Sequence, residues 1–306
     1  MRRTVVSRDD QRSSRDQVRD KVVLITGGAA GVGAEVAVQL HARGAKLVLI
    51  DVDAVELRRC AAGMSADRVL TVVADVRDPV RVQAAVDAAV DRFGGIDVMV
   101  ANAGVISYGS IQAVDPEAFK RVLDINVLGV FHTVRAALAS IIDRRGYVLV
   151  VSSLAAYAAA PGLAPYCASK AAVEQLANAL RVEVGYRGVD VGSAHMSWID
   201  TAMVRDTKND VSAFAEMLRR LPYPLNTTTS VRSCGRALVS GIERRKRRVF
   251  CPRWVGAVQW LKPTLSTRVG ETPLRAIVPD VLPRMDAEVA ALGRSTSSHT
   301  ESWTHR

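Results

Sequence analysis

With 306 residues and 49% hydrophobic side chains, the chain can build one large α/β domain or two small ones, and wholesale disorder is excluded. A net charge of +10 collects toward the ends, from Arg2 to Arg19 and from Arg244 to Arg253. No nucleic-acid recognition module accompanies it, so no nucleic-acid partner is expected. Cys60, Cys167, Cys234 and Cys251 stand far apart, without a Cys-x-x-Cys or a histidine cluster. They read as reduced thiols of a cytoplasmic protein and offer no metal site.

Residues 1–18 read as a disordered polar leader: the start lacks the apolar stretch of a signal peptide, and no uninterrupted apolar run approaches membrane-spanning length. From Lys21 the pattern is regular. Val22 to Thr26 predicts a short buried strand, followed by glycines and a helical stretch to Arg43. Lys46 to Ile50 is the next strand and Ala54 to Met64 the next helix. Val69 to Ala74, Val98 to Ala101, Val148 to Ser152 and Val189 to Ala194 continue the strand series. Strands alternating with helices of this length imply βαβ crossovers and a three-layer αβα, doubly wound parallel sheet in a single domain, residues 19–251. Beyond it, Pro263, Pro273, Pro279 and Pro283 break up the helical signal of a C-terminal extension, residues 252–292, and residues 293–306 read as a flexible polar tail.

Two sites stand out. Thr26-Gly-Gly-Ala-Ala-Gly-Val-Gly33 lies where the first strand turns into the first helix. Glycines there let the backbone approach a pyrophosphate, and the helix N-terminus offers unpaired N–H groups, as in Rossmann-type dinucleotide sites. Asp51, at the end of the second strand, suits the adenosine ribose hydroxyls and repels a 2′-phosphate; no Arg or Lys in the loop or just after Asp51 offsets it. NAD is expected rather than NADP. Farther on, Tyr166 and Lys170 fall one turn apart on a helix. A tyrosine is a poor base at neutral pH, and a lysine cation beside it favours the phenolate, so the pair is a candidate proton shuttle.

Together these features resemble the short-chain dehydrogenase/reductase family, in its short single-domain branch, from about Lys21 to Phe250. The spacing of Gly27, Gly31 and Gly33, with Val32 between them, is similar to that branch. Asp75-Val76 resembles the family's adenine-contacting pair, and Asn102-Ala103-Gly104 its turn lining the cofactor cleft. Asn126-Val-Leu-Gly129 resembles the segment with its catalytic asparagine, and Ser153 stands at the family's serine-to-tyrosine spacing before Tyr166. The resemblance implies catalysis by Asn126, Ser153, Tyr166 and Lys170. Tyr166 serves as acid or base and Lys170 lowers its pKa and holds the nicotinamide ribose. Ser153 donates to the substrate oxygen, and Asn126 holds a relay water. Thr201 implies a nicotinamide contact, although Met196-Ser197 replace the family's Pro-Gly before it. Ser152 reads as structural, and His195 as a packing or hydrogen-bonding residue.

The implied activity is NAD-dependent interconversion of a secondary alcohol and a ketone. An NADP-dependent carbonyl or oxoacyl reductase and a catalytically silent cofactor-binding regulator are the competing readings. Expected pocket walls are Val105 to Ser110, Leu154 to Pro165 and Ser197 to Leu225, mostly apolar, including Tyr157, Phe214 and Leu218; Arg205 is a weak anion-binding candidate. They suggest a hydrophobic steroid, lipid or terpenoid-like substrate. By resemblance, helices beginning near Phe119 and Pro165 pair copies into a homodimer or homotetramer. Arg244 to Arg248, followed by Trp254, Val255, Val258, Trp260 and Leu261, raises contact with an anionic membrane, but the apolar stretch is short, and a lid or subunit-contact helix is the simpler expectation.

Overall fold

The structure, a computed structural model, describes residues 17–297. The expected leader therefore lies outside the described residues, save Gln17 and Val18, and Val18 is buried in the core. Seven parallel strands form one sheet: β1 (Val22–Thr26), β2 (Lys46–Asp51), β3 (Val69–Val73), β4 (Val98–Ala101), β5 (Tyr147–Val151), β6 (Asp190–Met196) and β7 (Arg248–Cys251). Their spatial order is β3-β2-β1-β4-β5-β6-β7. β1, β4 and β5 are buried along their whole length, which is why they read as continuous Val, Leu and Ile runs rather than alternating ones.

Helices cover both faces. On one lie α1 (Gly31–His41) and α2 (Ala54–Ala61), whose Val36, Leu40 and Leu57 share a core with Leu238 and Ile242 of a later helix, here called α9 (Val231–Glu243). On the other lie α3 (Pro79–Phe93), α5 (Gly129–Asp143) and α6 (Ala164–Gly185), packed through Val86, Val134, Ile141, Val173 and Leu180. α4 (Pro116–Leu123) runs into α5 through a widened turn, Asp124–Leu128. The continuous helical stretch Pro116–Asp143 is long and apolar enough to cross a membrane by composition, yet Val130, Val134, Ala137 and Ile141 lie buried in the core on this face. Helix starts are chemically marked. Asp53, Asp78 and Asp115 each accept two backbone N–H bonds at the N-termini of α2, α3 and α4.

The carboxyl ends of the strands are roofed by α7 (Ala202–Asp210), α8 (Ser212–Arg220), α10 (Val255–Leu265), α11 (Arg268–Arg275) and α12 (Val278–Leu292). Pro263, Pro273 and Pro283 lie inside α10, α11 and α12 without ending them. In α12 the reason is packing: Val281, Met285 and Val289 seal it onto a third core with Phe214, Met217 and Leu218. The expected tail also departs from its reading at its first residues. Gly293 ends α12 in the left-handed region, and Ser295, Thr296 and Ser297 are buried. Ser107 and Thr296 form a bridge, Tyr108 N donates to the Ser295 carbonyl (2.8 Å), and Arg294 pairs with Asp210 (2.9 Å). Polar residues stay buried here because the strap's main chain and Arg294 find partners.

Candidate active site

Connections leave β1 and β4 in opposite directions, so a crevice opens between them at the carboxyl ends of the strands. A cavity of about 580 Å³ fills it. Of the residues expected to bind cofactor or act in catalysis, all but Gly33 and Asn126 line this cavity.

The glycine turn is shaped by close approach. Gly27 (φ 64°) and Gly31 (φ 55°) take conformations that L side chains rarely adopt. A Cβ on Gly33 would lie 2.0 Å from the Gly27 carbonyl oxygen, so Gly33 packs the turn against itself and does not line the cavity. Asn102 holds this turn: its Nδ2 donates to the carbonyls of Thr26 (3.1 Å) and Gly27 (3.0 Å). Its amide is thus spent on the loop, and only its remaining surface faces the cleft. No side chain caps the N-terminus of α1 at Ala30, which leaves the first amides of the helix available to an anion. The Thr201 methyl lies 3.5 Å from where a Gly31 Cβ would stand, so α7 closes over the turn. These features fit a dinucleotide: exposed amides for the pyrophosphate, and Asp51 at the ribose end.

Asp51 accepts from Ala29 N (3.0 Å) and Asp53 N (3.2 Å). Burial raises its pKa, and those backbone bonds oppose the rise. Asp75 is engaged as well. Arg77, a residue the sequence reading passed over, lines the cavity and forks onto Asp75 through Nε (2.8 Å) and Nη2 (2.6 Å). An acid two residues before an arginine was the available signal.

On the chemical side, α6 presents Tyr166, Lys170 and Glu174 at successive four-residue steps. Burial pushes Tyr166 up to about 12, and its contact with the Ser153 hydroxyl opposes that. Burial also drives Lys170 down to about 8. Desolvation is therefore the largest influence on the phenol here. The Lys170 ammonium donates to the Val151 carbonyl (2.9 Å) and stands 5.5 Å from the Tyr166 ring centre, and desolvation outweighs its charge. Ser153 Oγ accepts from Ala155 N (3.1 Å) and lies 3.4 Å from the Met196 carbonyl. Asn126 sits in the widened turn, fully buried. Its amide is committed to Val105 (2.8 and 2.9 Å) and to Ser169 Oγ (3.0 Å). A Cβ on Gly104 would lie 3.2 Å from Asn126 Oδ1 and 3.4 Å from Lys170 Nζ, so those two groups face each other across this glycine. Ser152 donates to the Lys170 carbonyl (3.0 Å), a structural bond.

Behind Ser153 lies a charged node built around His195, the residue expected to pack or hydrogen-bond. His195 is fully buried on β6. Its Nε2 lies 2.6 Å from Glu174 Oε2 and 2.9 Å from both the Tyr157 hydroxyl and Ser193 Oγ; its Nδ1 lies 3.3 Å from the Ser153 carbonyl. Arg248 on β7 donates to the other Glu174 oxygen (3.0 Å). Burial opposes the Glu174 charge, but His195, Arg248 and Ser193 outweigh it and hold the carboxyl down at about 2. Met196 turns its sulfur toward Cys234 (3.1 Å), while Ser197 N donates to the Cys251 carbonyl (2.9 Å), so the chain still turns without Pro-Gly.

The remaining walls are apolar: Leu154, Ala155, Leu163, Trp198 and Met203, joined by Met217, Leu221, Leu225, Leu265 and Leu274. Tyr157, Phe214 and Leu218, expected in the wall, face the cores instead. Arg205 pairs with Asp200 (3.0 Å) on the surface and does not reach the cavity. Asp206 and Glu271 line it, and Glu271 is paired with Arg275 (2.8 Å).

A family model described as short chain dehydrogenase matches residues 21–212. The chain belongs to the short chain dehydrogenase family. Members of this family act as oxidoreductases on CH–OH groups with NAD(P), and this chain is one of them. It is 35% identical to the 3-alpha-(or 20-beta)-hydroxysteroid dehydrogenase of Mycobacterium tuberculosis over 212 residues, 69% of this chain and 80% of the relative. It is 34% identical to the trans-4-hydroxycyclohexanecarboxylate dehydrogenase of Sinomonas cyclohexanicum over 201 residues, 63% of this chain and 78% of that one. Among solved structures, levodione reductase superposes with a TM-score of 0.69 at 28% identity, covering 78% of this chain and 98% of that chain. A 3-ketoacyl-(acyl-carrier-protein) reductase from Brucella melitensis complexed with NADH gives 0.68 at 26% identity, covering 77% and 99%.

Proposed function

We propose that this short chain dehydrogenase interconverts a secondary alcohol and a ketone on a neutral, hydrophobic substrate, with NAD as cofactor. The carrying observation is the contact of Tyr166 with Ser153 on the floor of an apolar cavity whose other end holds the glycine turn and Asp51. When bound, the dinucleotide takes up or supplies the hydride. Tyr166 then gives its proton to the forming alkoxide in reduction, or removes the hydroxyl proton in oxidation. Ser153 donates to the substrate oxygen where negative charge develops. Lys170, which lines the cavity, would hold the nicotinamide ribose. Because the Asn126 amide is already engaged, the relay water falls to main-chain groups of the widened turn, with Asn126 fixing that turn.

Asp51 supports NAD, since a 2′-phosphate would meet a half-buried carboxylate, and the nearby Arg77 is already held by Asp75. The four cysteines are free thiols, which suits a cytoplasmic protein. Pairing of copies through α4 to α6 is supported by Phe131, Val182 and Tyr186, which point outward there.

The test is Tyr166→Phe. We expect turnover to fall by about two to four powers of ten with NADH affinity, read by fluorescence, held within about twofold; retained turnover overturns the mechanism. Asp51→Ser separately addresses the cofactor. It is expected to raise kcat/KM for NADP and lower it for NAD, and a wild-type preference for NADP sinks this assignment. With Tyr166 high at about 12, oxidation is expected to climb steadily as pH rises through the alkaline range, while reduction, which uses the protonated phenol, stays level near neutrality.

A further inference from the structure

α10 and α11 form a helical hairpin that the body of the protein barely holds. Val255 is its one buried residue in α10, and α11 has none. Among its exposed side chains are large apolar ones, Trp260 (82%), Leu261 (52%) and Val269 (83%), with Tyr223 (84%) after α8. Each stands within about a turn of a residue that lines the cavity. Leu265 follows Trp260 and Leu261, Gly270 follows Val269, and Pro222 and Leu225 flank Tyr223. The apolar surface therefore rims the mouth of the substrate cavity.

The same segment is basic. Arg253, Lys262 and Arg268 are exposed, and no acidic partner for them occurs among the described residues, while Glu271 is neutralised by Arg275. Exposed Trp and aliphatic side chains among cations match the boundary of an anionic bilayer, where an indole sits at headgroup level and cations meet lipid phosphate. A second copy fits less well, since it would bring the same basic hairpin from a chain of net charge +10. What reads in the sequence as one short apolar turn is extended by the fold, because exposed Val269 and Tyr223 also neighbour residues that line the cavity. The basic run Arg244 to Arg247 is not part of this face, for it precedes β7 whereas α10 follows it.

We propose that the α10–α11 hairpin docks on an anionic lipid surface and opens the substrate cavity toward the bilayer. This goes beyond the hydride-transfer reading and does not depend on Tyr166. The test uses the full chain and vesicles, read without turnover. One set is phosphatidylcholine alone; the other contains about one third phosphatidylglycerol, a composition carrying the anionic surface that basic segments require. Co-sedimentation is expected with the anionic vesicles at low salt, weaker at high salt, and absent with phosphatidylcholine. Trp260→Ser combined with Val269→Ser is expected to cut vesicle affinity by about tenfold or more, and Arg268→Glu to weaken it further. NADH affinity should be unchanged, which confirms that the variants are folded. No sedimentation of the wild type, or equal sedimentation of the double variant, overturns the proposal. So does a stable oligomer that the double variant dissociates in the absence of vesicle binding, because the patch would then belong to a second copy.

Discussion

The cavity has two flanks built in opposite ways. Behind Ser153, α6, β6 and β7 meet in a buried node in which Glu174 bonds both His195 and Arg248. In front, α10 and α11 lay two helices over the mouth and bury Val255 alone. The difference teaches what each flank is for. Proton transfer needs a serine and a tyrosine held to fractions of an ångström, and crowded charged bonds supply that rigidity. On the proposed reading, admission of an apolar substrate would draw on exposed surface and freedom to shift, which a thinly packed hairpin retains.

The sharpest way to break the contrast is to remove the node's centre. Glu174→Ala leaves Arg248 without its buried partner. It is expected to cost about 3–5 kcal/mol, lowering Tm by on the order of 6–12 °C. In a variant that stays folded, kcat should fall while NADH affinity holds, since His195 no longer fixes the Ser153 carbonyl. Unchanged Tm and kcat would show that the node is ornamental to the site. A gentler probe is pH. The Glu174 pKa is depressed in the folded state, so its contribution is complete above the ordinary value of 4.5 and is lost as pH falls toward about 2. Acid unfolding of the wild type should show about 3 kcal/mol of stability lost across that window, and Glu174→Gln should flatten the loss. Smallest of all is the effect on the other flank. Trp260→Ser is expected to shift stability by no more than about 0.5 kcal/mol, as for an exposed side chain without special contacts. A large loss there would mean that the hairpin is part of the core.

How much of this was legible before folding follows the range of the interactions. The strands and the glycine turn were readable because Val22 to Thr26 and Gly27 to Gly33 carry their signals locally, in apolar runs and in conformations only glycine favours. Tyr166 and Lys170 were readable because a helix fixes their spacing. His195 was not. Its importance comes from Glu174, Tyr157 and Arg248, which lie on other elements, and a single histidine after a strand carries no mark of that company. Likewise Arg77 gains meaning only from its fork onto Asp75 inside the cavity. The helices through Pro263, Pro273 and Pro283 were hidden because local propensity argued against them, and tertiary packing, at least in α12, prevailed.

Ser297 lines the cavity that begins at Gly27, held there by the strap around Arg294, Asp210 and Tyr108. The consequence concerns biosynthesis. The sheet can assemble once β7 has emerged from the ribosome, because domains fold as the chain appears from its N-terminal side. The pocket cannot be finished then, for its wall still lacks a residue some fifty positions downstream of β7. Nascent chains are thus expected to form the sheet before the pocket wall that Ser297 supplies is in place.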